Sequence, residues 1–272
     1  MPRADRQVCR LYVTVFSCPP KGLAFMYKEH PVFPQPPNEN EKVWRYMDFT
    51  KFISFIESGS LYFTSADKFE DPLEGSYPKI NVSAYEDEIK NFNIPEELKS
   101  DLRERNYKLR SCAPSWHFVN CWHLNSHESA AMWKLYLKSN EGIAIQSTYQ
   151  KLRDCFSKIK NDIFIGQVKY IDYETESIDT SHGNIFSPFV HKRKSFEHGK
   201  EVRAITIETK NPWEKSIVHG LNIPVNLDIL IENIYVAPNA PPWFESLVKS
   251  VIKRYGAVYP VIKSSLEKSP LY

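Results

Sequence analysis

The chain has 272 residues, with 35 basic and 33 acidic side chains and a formal net charge of +2. Hydrophobic residues make up 42% and charged residues 25%, the balance of an ordinary globular protein, and no stretch approaches the ~20 apolar residues of a membrane span. So even a charge excludes a molecule-wide electrostatic grip on nucleic acid and leaves only local patches.

The N-terminal residues "MPRADRQVCRLYVTVFSC" are basic, then briefly apolar, and end at Cys18, a faint outline of a lipoprotein signal. The apolar run is at the lower limit for export and Phe16 is bulky where a small residue is needed, so an unstructured extension is expected. Residues 27–42 carry four prolines and no apolar periodicity, which reads as an extended linker. Residues 1–40 are therefore expected to be a disordered leader, and 41–272 one domain. Cys9, Cys18, Cys112, Cys121 and Cys155 form no C-x-x-C pair, which favours reduced thiols in a cytoplasmic protein.

"VWRYM" (43–47) predicts a strand, and Phe49, Phe52, Ile53 and Ile56 form the buried stripe of a helix capped by Thr50 and closed by Gly59. "LYFT" predicts a second strand that enters "SADKFEDPLEGS" (65–76), a turn holding Asp67, Glu70, Asp71 and Glu74. Asp67 suits an Asx-type hydrogen bond, Asp71-Pro72 initiates a turn, and Gly75 permits positive φ. Asp71 and Glu74 need cations, either Arg45 or the "HKRK" run at 191–194. The spacing does not follow a calcium loop, so the turn is read as a structural edge to a pocket, without metal.

Residues 83–110 predict amphipathic helix, with Ser83 and Glu86 at capping-box spacing and Pro95 in a first turn. "FVNCWH" (118–123) predicts a strand. Asn125 and Glu128 have the spacing to open a helix through "SAAMWKLYL", where Trp133 packs in the core or lines a cleft. His123 and His127 do not make H-E-x-x-H, and one sits at a strand end, so shared zinc ligation is not expected. "GIAIQS" predicts a strand, followed by a short helix that Thr148 caps. Beyond it come a strand over 163–173, an exposed loop over 174–184, a helix over 185–196, and strands from Glu201 and at 233–238. A helix from Pro241-Pro242 to Arg254 and a strand within 258–263 complete the chain. Strands and helices mix without a βαβ rhythm, which predicts an α+β fold with a mixed or antiparallel sheet and flanking helices.

"VWRYMDFTKFISFIESGSLYFTSADKFEDPLEGSYPK" resembles the opening of a widespread bacterial and phage family with no settled activity. "CWHLNSHESAAMWKLY", "GIAIQSTY", "KRKSFEHGKEVRAI" and "IYVAP" resemble its remaining blocks. Two departures stand out: Ser65 occupies a usual Arg position, and "HGKE" stands where "HEREVR" is common. The order of blocks, with "SG-x-L-x-x-S" and a later Glu-bearing strand, also resembles ADP-ribosyltransferases. That resemblance implies NAD, or another small nucleotide, as substrate, and a setting in phage defence or toxicity.

Breaking the nicotinamide–ribose bond needs a carboxylate near the developing ribosyl cation, a cation for phosphate and an aromatic surface. Glu201 is the candidate catalytic carboxylate, and Arg203 shares its strand face. Arg45 is the candidate phosphate ligand. Tyr62 or Trp133 would stack on a base, and Ser65 would meet a ribose. Asp67, Asp71 and Glu74 would build the turn. Against this stand two readings: Glu201 and Arg203 as a solvated ion pair, and the 191–203 basic run as a plain solvated helix face or, with the acidic turn, as a nucleic-acid-binding or nucleolytic module. A non-catalytic interaction module is the third alternative; oligomeric state is left open.

Overall fold

Alternating apolar residues give 11 strands among the described residues, and nine of them join in one sheet. The computed structural model describes residues 27–156, 162–180 and 184–267. Its sheet runs β11 (Val261–Lys263), β10 (Asn233–Val236), β4 (Gly142–Thr148), β1 (Lys42–Asp48), β3 (His117–Leu124), β2 (Ser60–Ser65), β9 (Gly220–Pro224). β8 (Glu201–Ile207) also pairs with β3, and β5 (Phe164–Gln167) pairs with β8. Only β10–β11 is parallel among these nine, so the fold is α+β with a mixed, mainly antiparallel sheet.

β3 organises the sheet. β8 lies along one edge over residues 117–123. The other edge is shared: β1 pairs at 123–124 and β2 at 118–119. The sheet therefore forks at residues 120–122. Two side chains bridge the fork: Arg45 donates Nη1 to the Cys121 carbonyl at 2.6 Å, and Asn120 donates Nδ2 to the Tyr62 carbonyl at 2.8 Å. They supply the backbone partners that a continuous strand would otherwise give.

The alternation of side chains separates two faces. Trp122, Val202, Ala204 and Ile165 look into the main core, with Phe52, Phe55 and Ile56 of α1 (Phe49–Ser58) and Phe244, Val248 and Ile252 of α7 (Pro242–Arg254). On the other face, Val119 and Ile205 pack with Phe33, Phe186, Phe189 and Val190 in a second apolar cluster. Glu201 and Arg203 share the face of Ile205, which puts the charged region described below on the side of the second cluster.

Several expectations are corrected. α1 begins at Phe49, whose N–H reaches Glu141, so Thr50 lies inside the helix. Ser83 falls within α2 (Lys79–Lys90), whose N-cap is Pro78, and α3 (Glu96–Cys112) follows Pro95. α4 (Ala130–Tyr136) is capped by Ser129, whose hydroxyl accepts from Met132 N–H. Glu128 instead holds Ser264, Ser265 and the Trp133 indole. Thr148 caps α5 (Tyr149–Asp154) as expected. The strand over 163–173 is two: β5, and β6 (Lys169–Ile171) paired with β7 (His191–Arg193). The expected helix over 185–196 does not form. Pro188 lies in a 3₁₀ turn (Ser187–Phe189), and the pairing of β7 with β6 then takes the chain into a strand. A second 3₁₀ turn covers Lys194–Gly199. β9 and α6 (Leu227–Leu230) have no counterpart in the sequence reading.

The leader expected to be disordered is described from Tyr27, and residues 27–41 are built into the fold. Phe33 is buried, stacked 5.6 Å from Phe164 and edge-on to Phe186 at 5.3 Å. Gln35 donates to the Ile165 carbonyl. Gly166 makes this crossing feasible, because a Cβ there would stand 2.9 Å from the Phe33 backbone. Residues 1–26, with Cys9, Cys18 and the signal-like stretch, lie outside the described residues. Phe33→Ala should therefore lower unfolding stability by roughly 3 kcal/mol, read as a shifted urea midpoint at unchanged slope. An unshifted midpoint would mean that the segment is a passenger.

Candidate functional site

The acidic turn closes on two neighbouring strands. Asp71, with its side chain only 2% exposed, accepts the Leu73 N–H and takes both arms of Arg193 at 3.0 and 2.7 Å. Gly75 follows at φ +77°, with the Phe189 ring over it where a side chain would stand. Asp67 remains local, accepting from the Ser65 hydroxyl at 2.5 Å and pairing with Lys68 at 3.0 Å.

Glu74 enters a buried four-charge cluster. Its carboxylate meets Arg203 and, at 2.9 Å, Lys192. Glu201 meets the same two cations, Lys192 at 2.6 Å and Arg203 at 2.8 and 2.9 Å. Side-chain exposures of 1% for Arg203, 5% for Glu74, 9% for Glu201 and 12% for Lys192 exclude the solvated ion pair. Arg203 completes its donors on the Phe189 carbonyl at 2.8 Å, with its guanidinium 5.3 Å from the Phe69 ring. The Tyr170 hydroxyl oxygen accepts the Glu201 N–H at 2.8 Å.

Two acids and two bases cancel. Burial alone would raise the Glu201 carboxyl, but the Arg203 and Lys192 charges and their hydrogen bonds outweigh it and bring the group down to about 2. Glu201 is thus a permanent anion near neutral pH, unsuited to exchanging protons there.

Arg45 approaches the same region across the fork. Its hydrogen-bond acceptor, Cys121, is the register partner of Arg203. Burial, then the nearby Glu201 charge, pushes the Cys121 thiol up to about 12. Tyr136, half-exposed at the end of α4, is likewise raised to about 12 by burial, then by Cys121 and Glu201. Cys121 and Tyr136 thus lie within electrostatic range of both Arg45 and Glu201.

The other candidates lie elsewhere. The Tyr62 ring is half-exposed and lies over Gly220 of the outer strand β9. Ser65 is fully buried, bonded to Asp67 and the Ser115 carbonyl. Trp133 is buried edge-on to Tyr46 at 4.9 Å, its indole N–H given to Glu128, so it presents no open face to a base. The basic run is not a solvated helix face: Lys192, Arg193 and Lys194 are matched to Glu74 and Glu201, to Asp71, and to Glu176. Cys121 is missing from the sequence-derived site, because only long-range pairing reveals it, and Lys192 enters that reading only within the run that could pair with Asp71 and Glu74. Tyr136 carries the weak signal of a polar-tipped aromatic at a helix end. Among the described residues no group of three or more His, Cys, Asp or Glu could hold a metal ion, and no helix is long and apolar enough to cross a membrane.

Compared with known proteins, the chain matches no family model and no curated protein.

Arg203→Met leaves two buried carboxylates on one lysine and should cost about 3–5 kcal/mol in urea unfolding. Acid supplies a second check. The Glu201 contribution is complete above the unfolded carboxyl value of about 4.3 and is lost as pH falls toward 2. Glu201→Gln should flatten that part of the stability–pH curve; a curve parallel to wild type from pH 5 to 2 would contradict the assignment.

Proposed function

We propose that the protein is an enzyme acting on NAD or a related small nucleotide, with ribosyl-transfer chemistry at the fork of β3. One observation carries the reading: Arg45 and the Glu201–Arg203 pair reach Cys121 from opposite edges of the same strand. A cation suited to phosphate and a fixed anion thus come to one place from distant parts of the chain. The half-exposed Tyr136 ring adds an aromatic surface beside both.

In this reaction the C1′–N bond breaks, its electron pair leaves with nicotinamide, and positive charge grows on the ribose. An acceptor nucleophile then bonds to C1′ and gives up its proton. Glu201 would act on the growing charge electrostatically, since its low pKa suits a constant anion and not a proton carrier. Arg45 would hold a phosphate oxygen. Tyr136 replaces Tyr62 and Trp133 as the stacking ring, because it is exposed beside the charges and they are not both.

A second reading, a non-catalytic interaction module, is favoured by a different observation: Lys192 and Arg203 already occupy both oxygens of Glu201. The nucleic-acid reading is less favoured, since Lys192, Arg193 and Lys194 of the basic run are paired with carboxylates.

Purified protein incubated with NAD should release nicotinamide, followed by chromatography. Arg45→Ala should raise KM about tenfold, the loss of one charge-assisted phosphate contact, and Glu201→Gln should lower kcat by a hundredfold or more. No release by wild type, with no NAD binding in calorimetry, would leave the interaction module standing.

A further inference from the structure

On the outer side of the acidic turn, a groove of about 390 Å³ opens between residues 72–77, α2 and α3. Its volume falls in the range of small-molecule sites. Glu74 forms part of its lining, while the carboxylate of that residue is taken by Arg203 and Lys192. Two arginines of α3 face the groove, and they differ. Arg103 is committed to Glu86 at 2.9 Å and Glu96 at 3.3 Å. Arg110 has no ion pair or hydrogen bond among the described residues; it lies 4.1 Å from the Tyr77 ring centre and 4.9 Å from that of Tyr85.

We propose that this groove binds a small organic molecule through an oxyanion, a carboxylate or a phosphate, seated on the edge of the Arg110 guanidinium. The Arg110 guanidinium lies over the two rings, and its N–H groups have no acceptor among the described residues. Those groups match the paired oxygens of an oxyanion. Burial disfavours the Arg110 charge, yet guanidinium does not lose its proton, so an incoming anion relieves a real cost. Glu86, the carboxylate that acts on it, is held by Arg103. The lining is therefore left with one uncompensated positive charge, which favours an anionic ligand. Tyr107, largely exposed at the groove, offers a ring to the ligand body.

This site does not depend on the fork, and its test leaves Arg45 and Glu201 intact. Benzoate and phenyl phosphate are titrated separately into the full chain and followed by calorimetry, which distinguishes the two oxyanions. At least one should bind saturably, one per chain, with a Kd near or below about 1 mM. Arg110→Gln should weaken that binding at least tenfold, and Arg110→Lys, which keeps the charge but loses the planar fork, should weaken it by a smaller factor. The exposed control Arg105→Gln should leave it unchanged. Binding of neither probe, or equal binding by wild type, Arg110→Gln and Arg110→Lys, would overturn the proposal. Melting temperatures verify that each variant is folded; should Arg110→Gln not fold, Arg110→Lys decides alone.

Discussion

Arg203 is the constraint on which the rest of the site depends. A guanidinium that is 1% exposed cannot be left unpaired, and its neighbours answer it completely. Glu201 comes from the same strand, Glu74 from the acidic turn, and the Phe189 carbonyl from the 3₁₀ turn before β7. Lys192 then balances the second carboxylate charge. Removing any one member leaves a buried charge uncompensated, so the turn, β7 and β8 are held to one geometry. Such clusters add little net stability over a well-packed apolar core; what this one supplies is a single register between the turn and two strands more than a hundred residues downstream.

The sheet fork is the second constraint, and it arises from competition for one strand edge. β1 and β2 both pair with β3, and neither spans its centre. The backbone groups exposed there need partners, and Arg45 and Asn120 provide them, with Trp122 in turn donating to Asn120 at 2.7 Å. Arg45 is thereby drawn to Cys121, one strand from the charged cluster. The side chain that meets this structural need is the one proposed as the phosphate ligand.

Much of the fold was legible locally. The stripe Phe52–Ile56, the Thr148 cap, the Pro241-Pro242 helix start and the alternation of "EVRAITI" each declare an element within a few residues. The acidic turn was also readable, because Asp-Pro and a following Gly carry their own geometry. The failures were tertiary. Residues 27–41 look like a linker because prolines dominate, yet Phe33 finds an aromatic pocket made by Phe164 and Phe186. The "HKRK" run reads both as a solvated helix face and as a partner for Asp71 and Glu74, and the structure takes the second, with Arg193 on Asp71 and Lys192 on Glu74. Trp133 and Tyr136 stand one turn apart on the same helix, and only packing decides that the first is core and the second reaches the surface. Arg110 drew no notice, since nothing local marks an arginine that lacks an anion.

The claim that one buried cluster holds the turn against β8 is tested most directly by a double-mutant cycle on Glu74 and Arg203. Unfolding free energies of wild type, Glu74→Gln, Arg203→Met and the double variant give their coupling. A coupling above about 1.5 kcal/mol is predicted for groups in direct contact within a network. A value within about 0.5 kcal/mol of zero, as for independent sites, would contradict the account.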